Sequence, residues 1–158
     1  MRDLYALTAL LLLSACEMKK PVISDEDYTL VLAENPGLTE ECKSELSDTG
    51  MFGSSDNTNC FQMLPSQRWR GIWNAGWEWS NFCPYPAATC SVSFEKNEID
   101  LRIDSSRFPE AKQDGTFEIE FVGRRTKIKG HYGHLGQYPQ MMIVDRLIGL
   151  KKLKEAQD

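Results

Sequence analysis

From Gln67 to Ile148 the chain is cut into short runs in which apolar and polar residues alternate, each bounded by turn residues. That rhythm limits the fold more than any other feature, because a period of two places one side-chain set on each face of a strand. Arg68 to Asn74 and Gly76 to Phe82 are dense in Trp, Ile and Phe, with Asn74-Ala75-Gly76 as the expected turn; Pro84-Tyr85-Pro86 ends the second run. Thr89 to Phe94 is a further expected strand. In Glu98 to Ile103, Ile99, Leu101 and Ile103 are expected inward, with Asp100, Arg102 and Asp104 outward. Thr116 to Val122 follows the Asp114-Gly115 turn and points Phe117, Ile119 and Phe121 inward. In Gln140 to Ile148, Met142, Val144 and Ile148 share one face, while Met141, Ile143 and Leu147 on the other call for burial on both sides. Five or six such strands read as a mainly β fold, a small antiparallel barrel or strongly curved sheet whose closure removes exposed edges.

The preceding stretch is different in kind. Glu17 to Ser66 carries ten acidic and three basic residues, whereas Gln67 to Asp158 carries twelve and fourteen. Ser24-Asp25-Glu26-Asp27 matches a capping box, with acids in the first turn favoured by the helix dipole, and Asn35-Pro36-Gly37 stops the helix it opens. Thr39 is expected to cap a second short helix through Leu46, with Asp48 to Asn59 a polar loop. With 158 residues, one globular domain is the expectation. The net charge of −5 argues against nonspecific nucleic-acid binding.

At the start of the chain, Met1-Arg2-Asp3 precedes an apolar run from Leu4 to Ala15. It is shorter than the roughly 20 residues a membrane-spanning helix needs, and reads as a secretory signal peptide. Leu13-Ser14-Ala15-Cys16 resembles the lipobox of bacterial lipoproteins. The resemblance implies cleavage before Cys16, diacylation of its thiol, and acylation of the new amino group by a chain such as palmitate. Two or three acyl chains on one residue anchor a protein stably. In enteric-type lipoproteins an Asp after that cysteine implies retention at the inner membrane; Glu17 therefore points to the outer membrane, with the protein facing the periplasm. The expected organisation is a leader over 1–15, a tether over 16–23, a helical and loop extension over 24–66 and a β domain over 67–158.

Apart from Cys16 there are four cysteines, Cys42, Cys60, Cys83 and Cys90, an even number that suits two disulfides in an oxidising compartment. Three pairings are open. Cys42–Cys60 and Cys83–Cys90 are favoured because each closes a short loop containing Gly, Ser, Asn or Pro. The spacings contain no C-x-x-C, which disfavours zinc, and no cofactor or metal is expected.

Two tracts stand out as candidate sites. All four tryptophans, Trp69, Trp73, Trp77 and Trp79, fall within eleven positions; on strands Trp69 would share a face with Trp73, and Trp77 with Trp79. They either fill the core of a small barrel or form a platform for a sugar or a partner's side chain. Arg68 and Arg70 would suit cation–π packing on Trp69. The second tract, Gly123 to Tyr138, holds both histidines, His131 and His134, among Gly130, Gly133 and Gly136. These glycines argue against the helix an H-E-x-x-H site requires, so the imidazoles are expected to lock a tight turn by hydrogen-bonding its backbone.

Together, Trp69-x-Gly71-x-Trp73 through Phe82-Cys83-Pro84, and Val122-Gly123 through Gly130-His131-Tyr132-Gly133-His134-Leu135-Gly136 to the run Met141–Leu150, resemble OB-fold-like domains of uncharacterised bacterial proteins, over residues 67 to 150. The group supplies no catalytic residues to carry over. An OB-like barrel with bases at Arg124, Arg125, Lys127, Lys129, Arg146, Lys151, Lys152 and Lys154 invites oligonucleotide binding, but the expected compartment argues against it. The same charges suit solvation or anionic lipid. There is no G-x-S-x-G, phosphate loop or spare Cys–His pair. A noncatalytic envelope module binding an envelope protein or glycan is the leading expectation. The alternative is a periplasmic hydrolase of cell-wall or glycan substrates built from Glu78 with Asp100 or Asp104, to which His131 or His134 would have to converge in an open cleft. Mass spectrometry of the mature N-terminal peptide should show Cys16 as the first residue, carrying a thioether-linked diacylglyceryl group. A mature protein starting elsewhere and unmodified would remove the lipid anchor from the reading.

Overall fold

A computed structural model describes residues 23–51, 59–90 and 98–153; Cys16, the leader and residues 16–22 of the tether lie outside them. Five strands, β1 (Gln67–Ala75), β2 (Ser80–Pro84), β3 (Ile99–Arg102), β4 (Gly115–Arg125) and β5 (Gln140–Lys152), close a barrel in the order β1-β2-β3-β5-β4. Two helices, α1 (Asp25–Glu34) and α2 (Glu40–Thr49), precede it. The fold is therefore mainly β, a small closed barrel as the strand rhythm implies, with one departure from a fully antiparallel wall. Four pairings are antiparallel, but β3 and β5 run parallel, Ile99–Arg102 beside Gln140–Ile143.

Alternation sets the interior. Trp73, Phe82, Ile99, Leu101, Phe117, Ile119, Phe121, Met142 and Val144 are all buried in one cluster, which Ile103, Phe108 and Ala111 help to cover. Ile148 does not join them, contrary to the simple period of two. Gly123 pairs with Val144 and Val122 with Arg146, so Asp145 has no partner position; Phe121 pairs with Leu147 and Glu120 with Gly149, so Ile148 has none. Each irregularity shifts parity by one residue. Leu147 and Leu150 therefore pack on the core and Ile148 is left exposed.

Asp145 at the first bulge becomes a junction. Its carboxylate accepts from the Arg124 Nε at 3.0 and 3.2 Å and from the Ser66 hydroxyl at 2.9 Å, while its carbonyl accepts from Arg107 at 3.0 Å. On the outer face of β1 and β4, Arg68 pairs with Glu120 and Arg70 with Glu118. These arginines do not stack on Trp69; Arg125 does, at 5.6 Å from the ring centroid.

The expected burial of both faces of β5 is seen at its start. Met141 and Ile143 point outward from the barrel into a second cluster with Tyr132 and Tyr138, packed against Phe61 and Met63. The segment Cys60–Leu64 is a strap with bonds on two sides. Thr39 N–H donates to the Cys60 carbonyl and Gln62 N–H to Gly37, while Leu64 N–H donates to Arg125 and Lys127 N–H to Gln62. Leu38, Cys42 and Cys60 form a third cluster beneath it. Ser24 caps α1, its hydroxyl accepting from Asp27 N–H at 3.1 Å and donating to the Asp27 carboxylate at 2.6 Å. Thr39 precedes α2 without a side-chain cap; its hydroxyl donates instead to the Asn59 carbonyl.

Two sequence expectations for strands are corrected. The run from Gly76 becomes a strand only at Ser80, since Gly76–Trp79 turns the chain. Thr89 and Cys90 are not in a strand, and residues 91–97 lie outside the described ones. No helix among the described residues is long and apolar enough to cross a membrane.

Both favoured disulfides are present, Cys42–Cys60 with Cα atoms 5.3 Å apart and Cys83–Cys90 at 5.5 Å. They span sequence separations of 18 and 7. Loop-closure entropy gives about 3 kcal/mol for the longer and about 2 kcal/mol for the shorter. Denaturant unfolding of Cys42→Ala/Cys60→Ala should show the larger loss; an equal or smaller loss than for Cys83→Ala/Cys90→Ala would refute the ranking.

Candidate functional site

The structure divides the tryptophans between interior and surface. Trp73 is buried in the barrel, its indole N–H donating to the Ser80 hydroxyl at 3.0 Å, and that hydroxyl donates on to the Leu101 carbonyl. Trp69 is half-buried, its indole N–H donating to the Gly123 carbonyl at 3.2 Å. The Arg125 Nε behind it is buried with no hydrogen-bond partner among the described residues, so the Trp69 face is where this guanidinium finds its contact.

Trp77 and Trp79 are not on a strand and share no strand face. They belong to the β1–β2 connection, closed by the Gly76 N–H donating to the Trp79 carbonyl at 2.9 Å. The Trp79 indole lies against Gly76, where a Cβ would collide with it, so only glycine lets the ring settle there. Trp79 keeps 38% exposure and Trp77, at the tip, 89%. Glu78 between them is exposed.

The outer face of β2 and β3 is covered by the chain itself. The Tyr138 hydroxyl donates to the Asn81 side-chain carbonyl, and Asn81 donates to Glu98 at 3.1 Å. Asp100 is only 3% exposed, against the outward, solvated position its place in the alternation implies. The face does point away from the barrel, but the β4–β5 loop lies over it: a Cβ on Gly133 (φ 69°) would stand 2.9 Å from the Asp100 carboxyl carbon. Burial pushes the Asp100 carboxyl above its usual range, an effect that Arg102, bonded to it at 2.6 Å, opposes without cancelling. The Tyr138 phenol is pushed up to about 12 by burial and then by the Asp100 charge.

The remaining acids and the histidines do not converge with these groups. Asp104 accepts from the Ser106 N–H and hydroxyl in a turn, bonds that hold its carboxyl below the usual range. In the glycine-rich loop, Gly133 and Gly136 take positive φ, and Gly130 sits against the Pro36 ring. His131 Nδ1 lies 3.2 Å from the Gly136 carbonyl, bracing the turn across its mouth. His134 contributes its backbone carbonyl to Gln137 N–H, and its exposed ring has no hydrogen bond among the described residues. Between this loop and the end of α1 runs an open groove of about 480 Å³ lined by Glu34, Asn35, His131, Gly133, Leu135 and Gly136. Leu135 was not singled out by sequence: it is apolar, 79% exposed, and held at φ 53°, ψ 21°. Among the described residues one group of metal-type ligands comes close together, Cys42, Glu45 and Cys60, and its two sulfurs are bonded to each other.

No family model, curated protein or solved structure matches the chain.

The raised Asp100 value has a defined sign. A carboxyl that prefers its proton in the folded state stabilises the fold at low pH, and that contribution is lost as pH rises from the ordinary 3.8 through the folded value. Asp100→Asn keeps the neutral form at every pH, and the half-exposed Arg102 remains solvated. Its melting temperature should exceed the parent's at pH 7, with the gap closing as pH falls towards 4. A lower melting temperature at pH 7 would mean that the bond to Arg102 outweighs the burial.

Proposed function

We propose that this chain is a lipid-anchored cell-envelope protein, held at the outer membrane through acyl chains on Cys16. In this reading its barrel is a noncatalytic binding or scaffold module that meets an envelope protein or glycan through the Trp77–Trp79 tip. The observation that carries the proposal is the contrast between two surfaces. The outer face of β2 and β3 is filled by the chain's own Tyr138 and Gly133, whereas Trp77 stands almost wholly in solvent on a turn braced by Trp79 and Gly76. Large exposed indoles on a rigid support suit contact with a sugar ring or an apolar side chain, because little freedom is lost on binding. Two disulfides fit an oxidising compartment.

The hydrolase reading draws less support. Glycoside hydrolysis needs two carboxylates about 5 to 9.5 Å apart across a cleft. Glu78 sits on the protruding tip, Asp100 lies beneath the β4–β5 loop with Arg102, and Asp104 is committed to Ser106. The two histidines stand on a different loop.

The test is a photocrosslinking residue at position 77 in the lipidated protein within its native envelope, with position 148 on β5 as control. Capture from 77 and not 148, reduced about tenfold by Trp79→Ala, is expected; Trp77→Ala should shift stability by no more than about 0.5 kcal/mol, as surface changes do, whereas Trp79→Ala, which strips the ring from Gly76, should cost about 1 kcal/mol and leave the barrel folded. Equal capture from both positions, or release of wall fragments by the purified protein that Glu78→Gln abolishes, would overturn the proposal.

A further inference from the structure

We propose that the groove between the C-terminal end of α1 and the His131–Gly136 turn docks a protein segment presenting an apolar side chain beside a lysine or arginine, with Leu135 as the anchor on this chain. The surface is distinct from the Trp77 tip, and the inference does not rest on the function assigned to that tip.

Leu135 lies in the left-handed region, which non-glycine residues visit at an energetic cost and where Asn or Gly is the ordinary occupant. Glycine already occupies the positive-φ positions on either side, Gly133 and Gly136, so the turn itself has no need of a leucine. The side chain gains no burial in return, being 79% exposed. The backbone angle, which a leucine adopts at a cost and without burial to offset it, is the observation that points to a contact made in a complex.

Across the groove, α1 is packed on one side only: Leu32 lies against the Leu38, Cys42 and Cys60 cluster, and Tyr28 and Val31 are half-buried. Leu30 is 57% exposed and stands one turn before Glu34, so the two share a helix face.

Charge fixes the chemistry of the occupant. Glu34 is the acidic group of the lining, and the last turn of α1 beside it holds no base. Its C-terminal end, the negative pole of the helix dipole, meets the groove at Asn35. Lys129, two residues before His131, does not line it. An apolar side chain set against Leu135 with a flanking cation towards Glu34 satisfies each of these features.

The test uses the intact disulfide-bonded chain and three labelled synthetic peptides of equal length: alternating Leu and Lys, the same with Glu for Lys, and the same with Ser for Leu. Fluorescence anisotropy gives affinity, and amide chemical shifts give location. Only the Leu/Lys peptide should bind, more weakly as salt rises, with shifts centred on Glu34, His131 and Leu135 and none at Trp77. Leu135→Asn should weaken binding about tenfold, the loss of a well-placed apolar anchor, with an unchanged or higher melting temperature, since Asn tolerates this backbone. Glu34→Lys should weaken it as well. No binding by the Leu/Lys peptide, equal binding by the Glu peptide, or full affinity in a folded Leu135→Asn protein would overturn the proposal. So would self-association that Leu135→Asn abolishes, which would assign the surface to a second copy of the chain.

Discussion

Closure of the barrel depends on four residues of β5. Gln140–Ile143 pair in parallel with β3 while the strand as a whole follows β4 in the opposite sense, so a single strand carries both the seam and the long antiparallel wall. Seam residues are apolar on both sides: Met142 enters the barrel, and Met141 and Ile143 face away from it. A seam of this kind is stable only under a cover. The cover is assembled from Tyr132 and Tyr138 of the β4–β5 loop and from Phe61 and Met63 of the strap, so the N-terminal part of the chain completes the β structure from outside.

That cover decides which surfaces remain for function. A polar network of Asn81, Glu98, Asp100 and Tyr138 lies beneath the loop, bonded within the fold. Polar side chains on an exposed barrel face are natural ligand contacts; under a tyrosine they instead specify how the loop docks, since leaving one unpaired would be costly. Exposed apolar side chains are found elsewhere, at Trp77 and Trp79 on one connection and at Leu135 on another.

The barrel was legible wherever one face of a strand is wet. Phe117, Ile119 and Phe121 alternate with Glu118 and Glu120, and the register follows directly. Legibility failed where an interaction distant in sequence overrode local period. Asp100 reads as solvated because nothing near it in sequence announces that Gly133 will lie upon it. Ile148 reads as core because the bulges depend on how β4 and β5 meet, which no pattern in β5 alone encodes. Trp77 and Trp79 read as strand residues because Trp favours strands, while the Gly76–Trp79 closure that turns the chain is a matter of one hydrogen bond and one ring against one glycine. The disulfides were legible through loop length, and Leu135 was invisible because its backbone angle is set by neighbours that a sequence pattern does not weigh.

The strap has a mechanical meaning as well. A pull applied at the start of α1 passes along the helices to Cys42 and crosses the covalent bridge to Cys60, bypassing the chain between them. It then enters the strap Cys60–Leu64, whose backbone is bonded to Gly37 and Thr39 on one side and to Arg125 and Lys127 on the other. Hydrogen bonds loaded along a strand share the force and must break together, whereas bonds opened from an end break one at a time. Traction from the N-terminal side is thus spread over the strap before it reaches the barrel wall, and the five strands can hold their register while the segment outside them bears the load.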